Sequence, residues 1–269
     1  MTNSIVISTY VFPLTKFGKS GKIHSLFDRS FNIQIGNQLV NIANYKEYLS
    51  SFGMYVPDNQ FRAIRSQLDK GNFVKIREDY LSFYTRSGVQ TIAFKQKQLV
   101  SLNVKDFSFT SAELTILKEV LESLELEKKI GLTMTPQLLE LFEKMRQTEN
   151  DWQAIIHYLI GRGKGLTPSG DDILLAYQML LRIGNPLSLE KKMQTFLSTN
   201  LPTTDVSKAY IESSLDGYVN SLIYQLLKDV KKKQKQLIEK DVRMLLGVGH
   251  TSGADLSFGL LLALQSMNL

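Results

Sequence analysis

Cysteine is absent from the 269 residues of this sequence, which also contains only 3 histidines and 1 tryptophan. Without cysteine, disulfide bonds, thiolate catalysis and zinc sites built on thiolates are excluded. The chain does not open with a basic segment followed by an apolar one, and no apolar run reaches the roughly 18 residues of a membrane-spanning helix. These absences predict a soluble cytoplasmic protein with no membrane partner.

Charge is only weakly biased towards one sign. The 32 Lys and Arg residues exceed the 26 Asp and Glu residues by 6. This diffuse excess suits a small anionic ligand or an acidic partner, and it does not indicate nucleic-acid binding. The densest basic run, residues 228–235, is interpreted as a solvated helix face because no aromatic side chains are interleaved with its lysines. The 43% apolar content is sufficient for two modest hydrophobic cores, and we expect two domains.

The N-terminal part of the chain has the pattern of short β-strands. Runs rich in branched and aromatic residues are separated by glycine and polar turns. They are residues 23–26, 31–35, 38–42, 73–76, 80–84, 89–94 and 99–102. Residues 35–38 and 86–88 predict hairpin turns, whereas residues 45–52 and 60–68 have the pattern of short helices. We therefore predict a β-rich, mainly antiparallel domain over residues 1–106, and leave a sandwich and a barrel-like arrangement open.

The spacing of apolar residues becomes helical near Phe107. Thr110 and Glu113 have the spacing of a capping box, and Thr135, followed by proline, predicts a second helix start. Further helices are predicted at 150–160, 173–183, 187–198, 205–213, 218–231, 237–245 and 256–264. The predicted fold class is therefore α+β, with an all-helical domain over residues 107–269 after the β-rich one.

Each of the two most apolar helices, 173–183 and 256–264, follows a polar loop that contains the pattern Ser-Gly-x-Asp. The first loop is Gly161-Arg162-Gly163-Lys164-Gly165-Leu166-Thr167-Pro168-Ser169-Gly170-Asp171-Asp172, and the second is Gly247-Val248-Gly249-His250-Thr251-Ser252-Gly253-Ala254-Asp255. Helices that are apolar on nearly every side are typically buried, and a helix N-terminus attracts anions. We expect both helix starts to lie side by side and to face one ligand. The alternative is that Asp171 or Asp172 only caps its helix.

The candidate site residues in these loops are cations, hydroxyls, carboxylates and a histidine. They are Arg162, Lys164, Thr167, Ser169, Thr251, Ser252, Asp171, Asp172, Asp255 and His250. The cations, hydroxyls and helix ends describe a pocket for phosphate or carboxylate. The carboxylates and the histidine describe a general base or a site for a hard divalent metal ion. Both remain open, so the cofactor is unknown and a divalent metal is one option. The loops do not match a P-loop, a dinucleotide fingerprint or a nucleophile elbow.

Several blocks of the sequence, in their order along the chain, resemble a bacterial family long described only as a domain of unknown function. The blocks are residues 165–172, Thr203, Thr204 and Ser207 with Gly217, and residues 249–255 with Gly259; residues 21–27, Asn32 and Asn41 resemble the start of the family. That family is the AllH-type subunit of oxamate carbamoyltransferase. The sequence departs from the family's pattern at Ala176, where a glycine is usual, and at Ser257 and Phe258.

The resemblance implies a subunit of a multi-protein carbamoyltransferase in ureide nitrogen salvage, a part of allantoin and purine catabolism. Its reaction converts oxalurate and phosphate to oxamate and carbamoyl phosphate. The implied partners are other subunits and a small anionic substrate, namely carbamoyl phosphate, oxamate or phosphate. Asp172, Asp255 or His250 is then the catalytic group that manages the amide proton. The implied substrate-binding residues are Arg162, Lys164, Gly165, Thr167, Ser169, Gly170, Asp171, Thr204, Ser207, Thr251, Ser252 and Gly253. The alternatives are a non-catalytic, anion-binding regulatory subunit and a metal-dependent hydrolase that uses the Asp and His residues.

Overall fold

The computed structural model describes residues 4–147, 151–184, 194–195, 197–198, 202–267 and 269. The chain divides into two compact units, Met1–Leu102 with Tyr218–Ser221, and Asn103–Gly217 with Leu222–Leu269. Strands form the first unit and helices dominate the second, which confirms the predicted α+β class. The domain boundaries expected at 1–106 and 107–269 stay a prediction.

The N-terminal unit is built on one curled sheet that forms a half-barrel in the described part of the chain. Its strands are β1 Ile5–Ser8, β2 Ser20–Leu26, β3 Ser30–Ile35, β4 Gln38–Ala43, β5 Gly53–Tyr55, β6 Phe73–Ile76, β7 Tyr80–Thr85, β8 Gly88–Ala93 and β9 Lys97–Val100. Their order across the sheet is β8-β7-β6-β2-β3-β4-β5-β1-β9. The β4–β5 and β1–β9 pairs are parallel, and the other neighbouring pairs are antiparallel. The sheet is therefore continuous and does not form a sandwich.

Both predicted hairpins are present. Strands β3 and β4 are paired up to Ile35 and Gln38, and β7 and β8 up to Thr85 and Gly88, so each connection contains two residues. The concave packing is aromatic: Phe31 on β3 contacts Phe83 on β7 with ring centroids 5.8 Å apart. Helix α1, Asp58–Arg65, corresponds to the helix predicted at 60–68 and packs through Phe61 against Phe31.

The helix predicted at residues 45–52 is wrong. This segment connects β4 to β5 without helical structure. Its backbone groups form hydrogen bonds with residues that are distant in sequence. The amide of Leu49 donates to the Ser221 hydroxyl at 2.9 Å, and the carbonyl of Ser51 accepts from the Ser8 hydroxyl at 2.6 Å. Local helix propensity is weak, so such long-range hydrogen bonds override it.

Eight α-helices of the second unit have both ends among the described residues. They are α2 Ser111–Glu122, α3 Pro136–Met145, α4 Trp152–Leu159, α5 Ser169–Gly184, α6 Asp205–Leu215, α7 Ser221–Val230, α8 Lys235–Leu246 and α9 Ser252–Ser266. The capping box predicted at Thr110 and Glu113 is confirmed, as is the Thr135 cap of α3. The helix predicted at 187–198 lies largely outside the described residues, as does position 150, the predicted start of α4. No helix in the described ranges has the length and apolar character needed to cross a bilayer.

Helices α5 and α9 are buried side by side at the centre of this unit. They approach closely at Gly259, where an added Cβ would overlap the Ile173 carbonyl oxygen and lie 2.9 Å from the Ala176 Cβ. Only glycine permits this separation of the two backbones. Phe258, one of the departures from the family pattern, is buried beside Phe142, with ring centroids 4.9 Å apart. The close crossing therefore brings the N-terminal ends of α5 and α9 together.

Candidate functional site

The two Ser-Gly-x-Asp loops meet at the N-termini of α5 and α9. The hydroxyl oxygens of Thr167 and Ser252 are 3.0 Å apart. Gly131 touches both loops, because an added Cβ would overlap the Ser169 hydroxyl and lie 2.6 Å from the Thr251 hydroxyl. The predicted proximity of the two helix starts is confirmed. We call residues 161–172 and 247–255, together with Gly131, the paired junction.

The glycine of each Ser-Gly-x-Asp pattern has the same steric role. A Cβ on Gly170 would overlap the carbonyl oxygen of Leu159, at the end of α4, and a Cβ on Gly253 would overlap that of Leu245, near the end of α8. In both loops the new helix therefore starts directly against the last turn of the preceding one. This close approach explains why both patterns carry glycine after serine.

Several backbone N–H groups at the two helix starts are already bound within the protein. The bonds are Gly170 to the Arg162 carbonyl at 2.8 Å, Asp171 to Pro168 at 2.9 Å, Gly253 to Val248 at 3.0 Å and Asp255 to Thr251 at 2.9 Å. A helix N-terminus binds anions through unpaired N–H groups. These helix ends therefore offer fewer donors to a phosphate than their sequence suggests.

Asp171 ties three segments together and is only 1% exposed. Its Oδ1 accepts from the Gly161 amide at 2.7 Å. Its Oδ2 accepts from the Ser207 hydroxyl at 2.6 Å and from the Thr203 hydroxyl. Both carboxylate oxygens are engaged, so the geometry gives Asp171 a structural role in holding the first loop on α6.

Thr204 and Ser207, at the start of α6, brace the first loop. Thr204 caps α6 by accepting from the Ser207 amide at 3.0 Å, and its hydroxyl donates to the Leu166 carbonyl. The Ser207 hydroxyl is bound to Asp171. The sequence marked both residues as substrate-binding, whereas in the structure both hydroxyls are occupied by protein groups.

Asp172 is buried, with 5% of its surface exposed, and its Oδ2 has no hydrogen-bond partner among the described residues. Burial raises the pKa of this carboxyl well above its ordinary range, because an ion is poorly solvated in the interior. The hydroxyls of Ser252 and Thr167 oppose that increase in pKa. The carboxylates of Asp255 and Asp171 add to it through charge repulsion.

Asp255 occupies the equivalent position in the second loop and is 0% exposed. Its Oδ1 accepts from the Gly131 amide at 2.8 Å, while its Oδ2 is without a hydrogen-bond partner in the described ranges. Burial raises the pKa of Asp255, and the Gly131 amide and the nearby hydroxyls of Ser169 and Thr251 oppose this. The paired junction thus contains two buried carboxyl groups, each with one unused oxygen.

The predicted cations and the histidine lie at the surface. The Arg162 guanidinium stacks over the Tyr158 ring, 3.9 Å from its centroid, and its Nε donates to the Tyr158 carbonyl at 2.7 Å. Lys164, Gly165 and His250 are exposed. The cations are therefore available to an anion arriving from solvent, whereas the carboxyl groups of the same loops are inside.

The structure does not assemble a metal site from the predicted Asp and His residues. Within the described part of the chain, no three His, Asp or Glu side chains converge. Asp171 is committed to its own hydrogen bonds and His250 is exposed. Among the described residues, the metal-dependent alternative therefore has no convergent set of three such ligands.

Sequence reasoning missed Gly131 altogether. This residue lies in the loop before α3, far along the chain from both Ser-Gly-x-Asp loops, and no local pattern surrounds it. Thr203 was noted only as part of the middle block, although its hydroxyl bonds Asp171. Neither contribution can be read from the sequence, because each depends on contacts between distant segments.

Two family models match the chain. The model described as oxamate carbamoyltransferase subunit AllH matches residues 159–264, a range that includes both Ser-Gly-x-Asp loops. The model described as the AllH family N-terminal domain matches residues 4–101. No solved structure matches the chain. The two matched ranges cover most of the sequence and confirm the resemblance, so the chain belongs to the AllH family of oxamate carbamoyltransferase subunits.

Proposed function

We propose that this chain is the carbamoyltransferase subunit that binds substrate at the paired junction, in the reversible conversion of oxalurate and phosphate to oxamate and carbamoyl phosphate. The observation that supports this most strongly is the convergence of two buried carboxyl groups, Asp172 and Asp255, each with an unused oxygen. Unsatisfied buried polar atoms are rare in folded proteins, and a catalytic role or a bound water or ion is among the explanations for them. Both residues lie inside the range matched by the AllH model.

The proposed chemistry is carbamoyl transfer between nitrogen and phosphate oxygen. From carbamoyl phosphate, the amide nitrogen of oxamate attacks the carbamoyl carbon, the bond from that carbon to the phosphate oxygen breaks, and the nitrogen loses a proton. A carboxylate whose pKa is raised is a better acceptor for that proton than an ordinary one. The pKa values of Asp172 and Asp255 are both raised, so the member of the pair that is ionised meets this requirement, and the hydroxyls of Ser169 and Ser252 lie beside the two groups.

Arg162 and Lys164 are the groups that we propose for the phosphate. A guanidinium and an ammonium bind phosphate oxygens through charge-assisted hydrogen bonds. These two side chains lie on an exposed loop and do not enclose a pocket by themselves. We therefore propose that a partner subunit covers this loop and completes the phosphate site, which accounts for a multi-protein enzyme.

Reconstitution tests the proposal. Carbamoyl phosphate formation from oxalurate and phosphate is measured with the purified chain alone, with its partner proteins alone, and with the mixture. We expect turnover only in the mixture. Turnover by the chain alone at a rate typical of enzymes, about ten per second, would show that the site is complete within one protein. Turnover by the partners alone would show that this chain is not required.

A further inference from the structure

The two loops of the paired junction are copies of one structural unit. In each copy a helix ends, a loop follows, and Ser-Gly-x-Asp begins a buried helix: α4 to α5 in the first and α8 to α9 in the second. Gly170 and Gly253 make equivalent contacts with the preceding helices. Ala176 and Gly259, which touch where α5 and α9 cross, each lie seven positions after the serine of their own copy.

The two copies exchange polar groups. The Ser252 hydroxyl of the second copy lies beside Asp172 of the first and opposes the increase in its pKa. The Ser169 hydroxyl of the first copy has the same effect on the pKa of Asp255 in the second. Each carboxyl group is thus accompanied by the serine of the opposite copy. The paired junction is consequently a quasi-twofold site in which neither copy is complete alone.

The charge of this site is unusual because two acids face each other without a balancing cation. The charged groups that affect the pKa of Asp172 are the acidic side chains of Asp255 and Asp171. In the described ranges, neither Asp172 nor Asp255 forms an ion pair with Lys, Arg or His. Two neighbouring buried carboxyl groups resist being ionised together, which favours a state in which they share one proton. One carboxyl then donates a hydrogen bond while the other accepts one.

Partly exposed hydroxyl groups flank the two buried carboxyl groups. Thr167 and Ser252 beside Asp172 are partly exposed, as is Thr251 beside Asp255. The backbone of Gly131 is exposed as well. These hydroxyl groups are therefore accessible to a small ligand, whereas the two unused carboxyl oxygens beside them are buried.

We propose that Asp172 and Asp255 together hold the primary amide head of the substrate, with the protonated carboxyl donating to its carbonyl oxygen and the ionised one accepting from its N–H. This assignment rests on the proposed function and names the chemical group that is recognised there. A primary amide has one donor side and one acceptor side, which matches a carboxyl pair with a single proton. A phosphate or a second carboxylate offers acceptors only and would be repelled by the ionised member.

Asp172 is the member that we expect to carry the proton, because the Gly131 amide donates to Asp255 and so favours the ionised form of Asp255. An asparagine side chain presents both an N–H donor and a carbonyl acceptor, as a protonated carboxyl does. Asp172→Asn should therefore retain binding of the amide, whereas Asp172→Leu should weaken it. Asp255→Asn should weaken it as well, because its carbonyl would accept from the Gly131 amide and its NH2 group would then meet the substrate N–H.

Calorimetric titration of the full chain, alone and mixed with its partner proteins, tests the inference with oxamate as the probe. Oxalate, in which a carboxylate replaces the amide, inorganic phosphate and Mg²⁺ are the comparisons. Oxamate should bind at least about tenfold more tightly than oxalate, and Asp172→Leu and Asp255→Asn should each weaken it by about 10- to 150-fold, the range for a lost hydrogen bond to a charged group. Asp241→Asn, which removes another buried carboxyl with an unused oxygen, is the matched control and should bind oxamate like the unmodified chain.

Equal binding of oxamate and oxalate, or oxamate binding that is indifferent to Asp255→Asn, would overturn the inference. Mg²⁺ binding that both Asp255→Asn and Asp172→Leu abolish would replace it with a cation site. The oxamate and oxalate comparison uses the unmodified chain, so it stands even if a variant fails to fold. If oxamate binds as expected but the reconstituted complex transfers no carbamoyl group, the proposed function fails and the amide site remains.

Discussion

The hydroxyl oxygens of Thr167 and Ser252 are 3.0 Å apart although 85 residues separate them in the chain. This contact exists because α5 and α9 cross closely at small residues and begin at the same end of the helical unit. It places the hydroxyls of one copy of the Ser-Gly-x-Asp unit beside the carboxyl group of the other. A substitution in either copy should therefore alter the structure of both.

The first prediction concerns the glycines that seat these helices. Gly170→Ala and Gly253→Ala place a Cβ against the carbonyl oxygens of Leu159 and Leu245, which are backbone atoms and cannot turn aside. We expect each change to lower the free energy of unfolding by about 2 to 3 kcal/mol, as overpacking does. Chemical denaturation of the purified variants measures this.

Gly247→Ala is the matched control for these substitutions. Gly247 follows α8, has an ordinary φ of −78°, and its added Cβ would lie 3.3 Å from the nearest atom, the Met244 carbonyl oxygen. Its effect should stay within about 0.5 kcal/mol. A loss at Gly170 or Gly253 no larger than at Gly247 would show that the helices do not require this close seating.

The second prediction separates Asp171 from its neighbour in sequence. Asp171→Ala leaves the Gly161 amide and the hydroxyls of Ser207 and Thr203 without their acceptor. Each unsatisfied buried donor costs about 1 to 3 kcal/mol, so we expect a total loss of about 3 kcal/mol or more. The midpoint of thermal unfolding should fall accordingly. A stable Asp171→Ala protein would contradict the structural role given to this residue.

The third prediction is a dependence of stability on pH. The pKa of Asp172 is higher in the folded chain than its ordinary 3.8, so the folded state holds this proton more tightly than the unfolded state does. The contribution of this group to the free energy of unfolding is fully present below its ordinary pKa. It is lost as the pH rises through the raised pKa of the folded state. Asp172→Asn removes that loss, so the unfolding free energy of the variant relative to that of the unmodified chain should increase as the pH rises above the ordinary pKa of 3.8.

Asp241→Asn provides the comparison, because burial and the neighbouring Asp229 raise the pKa of Asp241 to about 6. The gain in unfolding free energy of Asp241→Asn over the unmodified chain should be complete by about pH 7, and the range over which Asp172→Asn gains is compared with it. Denaturation curves collected across this pH range measure both. An Asp172→Asn difference that does not change with pH would mean that Asp172 is ionised in the fold as readily as in solution.

The fourth prediction concerns Arg162, the cation proposed for the phosphate. Arg162→Ala should weaken the binding of phosphate or carbamoyl phosphate by about 1 to 3 kcal/mol, the range for a charge-assisted hydrogen bond. Arg86→Ala, which removes an exposed arginine with only a loose 3.7 Å contact to Asp69, is the control for the change in net charge. Equal binding by both variants in calorimetry would remove Arg162 from the site.

Local sequence signals predicted most of the helix starts. The elements that were not predicted depend on pairing between distant segments. The Thr110 and Thr135 caps could be predicted because the groups involved lie within one helical turn. Strands β1 and β5 were not predicted, since β5 has only three residues and is defined by its neighbours β4 and β1. The order of strands in the half-barrel likewise depends on pairings that no short pattern contains.

The repeated Ser-Gly-x-Asp pattern predicted where the candidate site lies, but it could not separate the roles of its members. Asp171 and Asp172 are adjacent and chemically identical, yet successive helix positions point about 100° apart. One therefore faces the hydroxyls of Thr203 and Ser207, and the other faces the second copy. The sequence also could not show that loop carbonyls occupy helix-end N–H groups, because that depends on how each loop folds back.

The most direct test of the paired junction as the site of carbamoyl transfer is the turnover rate of the reconstituted transferase carrying Asp255→Asn or Asp172→Asn in this chain. Asparagine keeps the shape of the side chain but cannot take up and release a proton, a function worth about a hundredfold or more in rate. We predict folded complexes whose carbamoyl transfer falls by at least about that factor, while Asp241→Asn leaves the rate unchanged. Full activity with both Asp255→Asn and Asp172→Asn would contradict the account and would place the chemistry in another subunit.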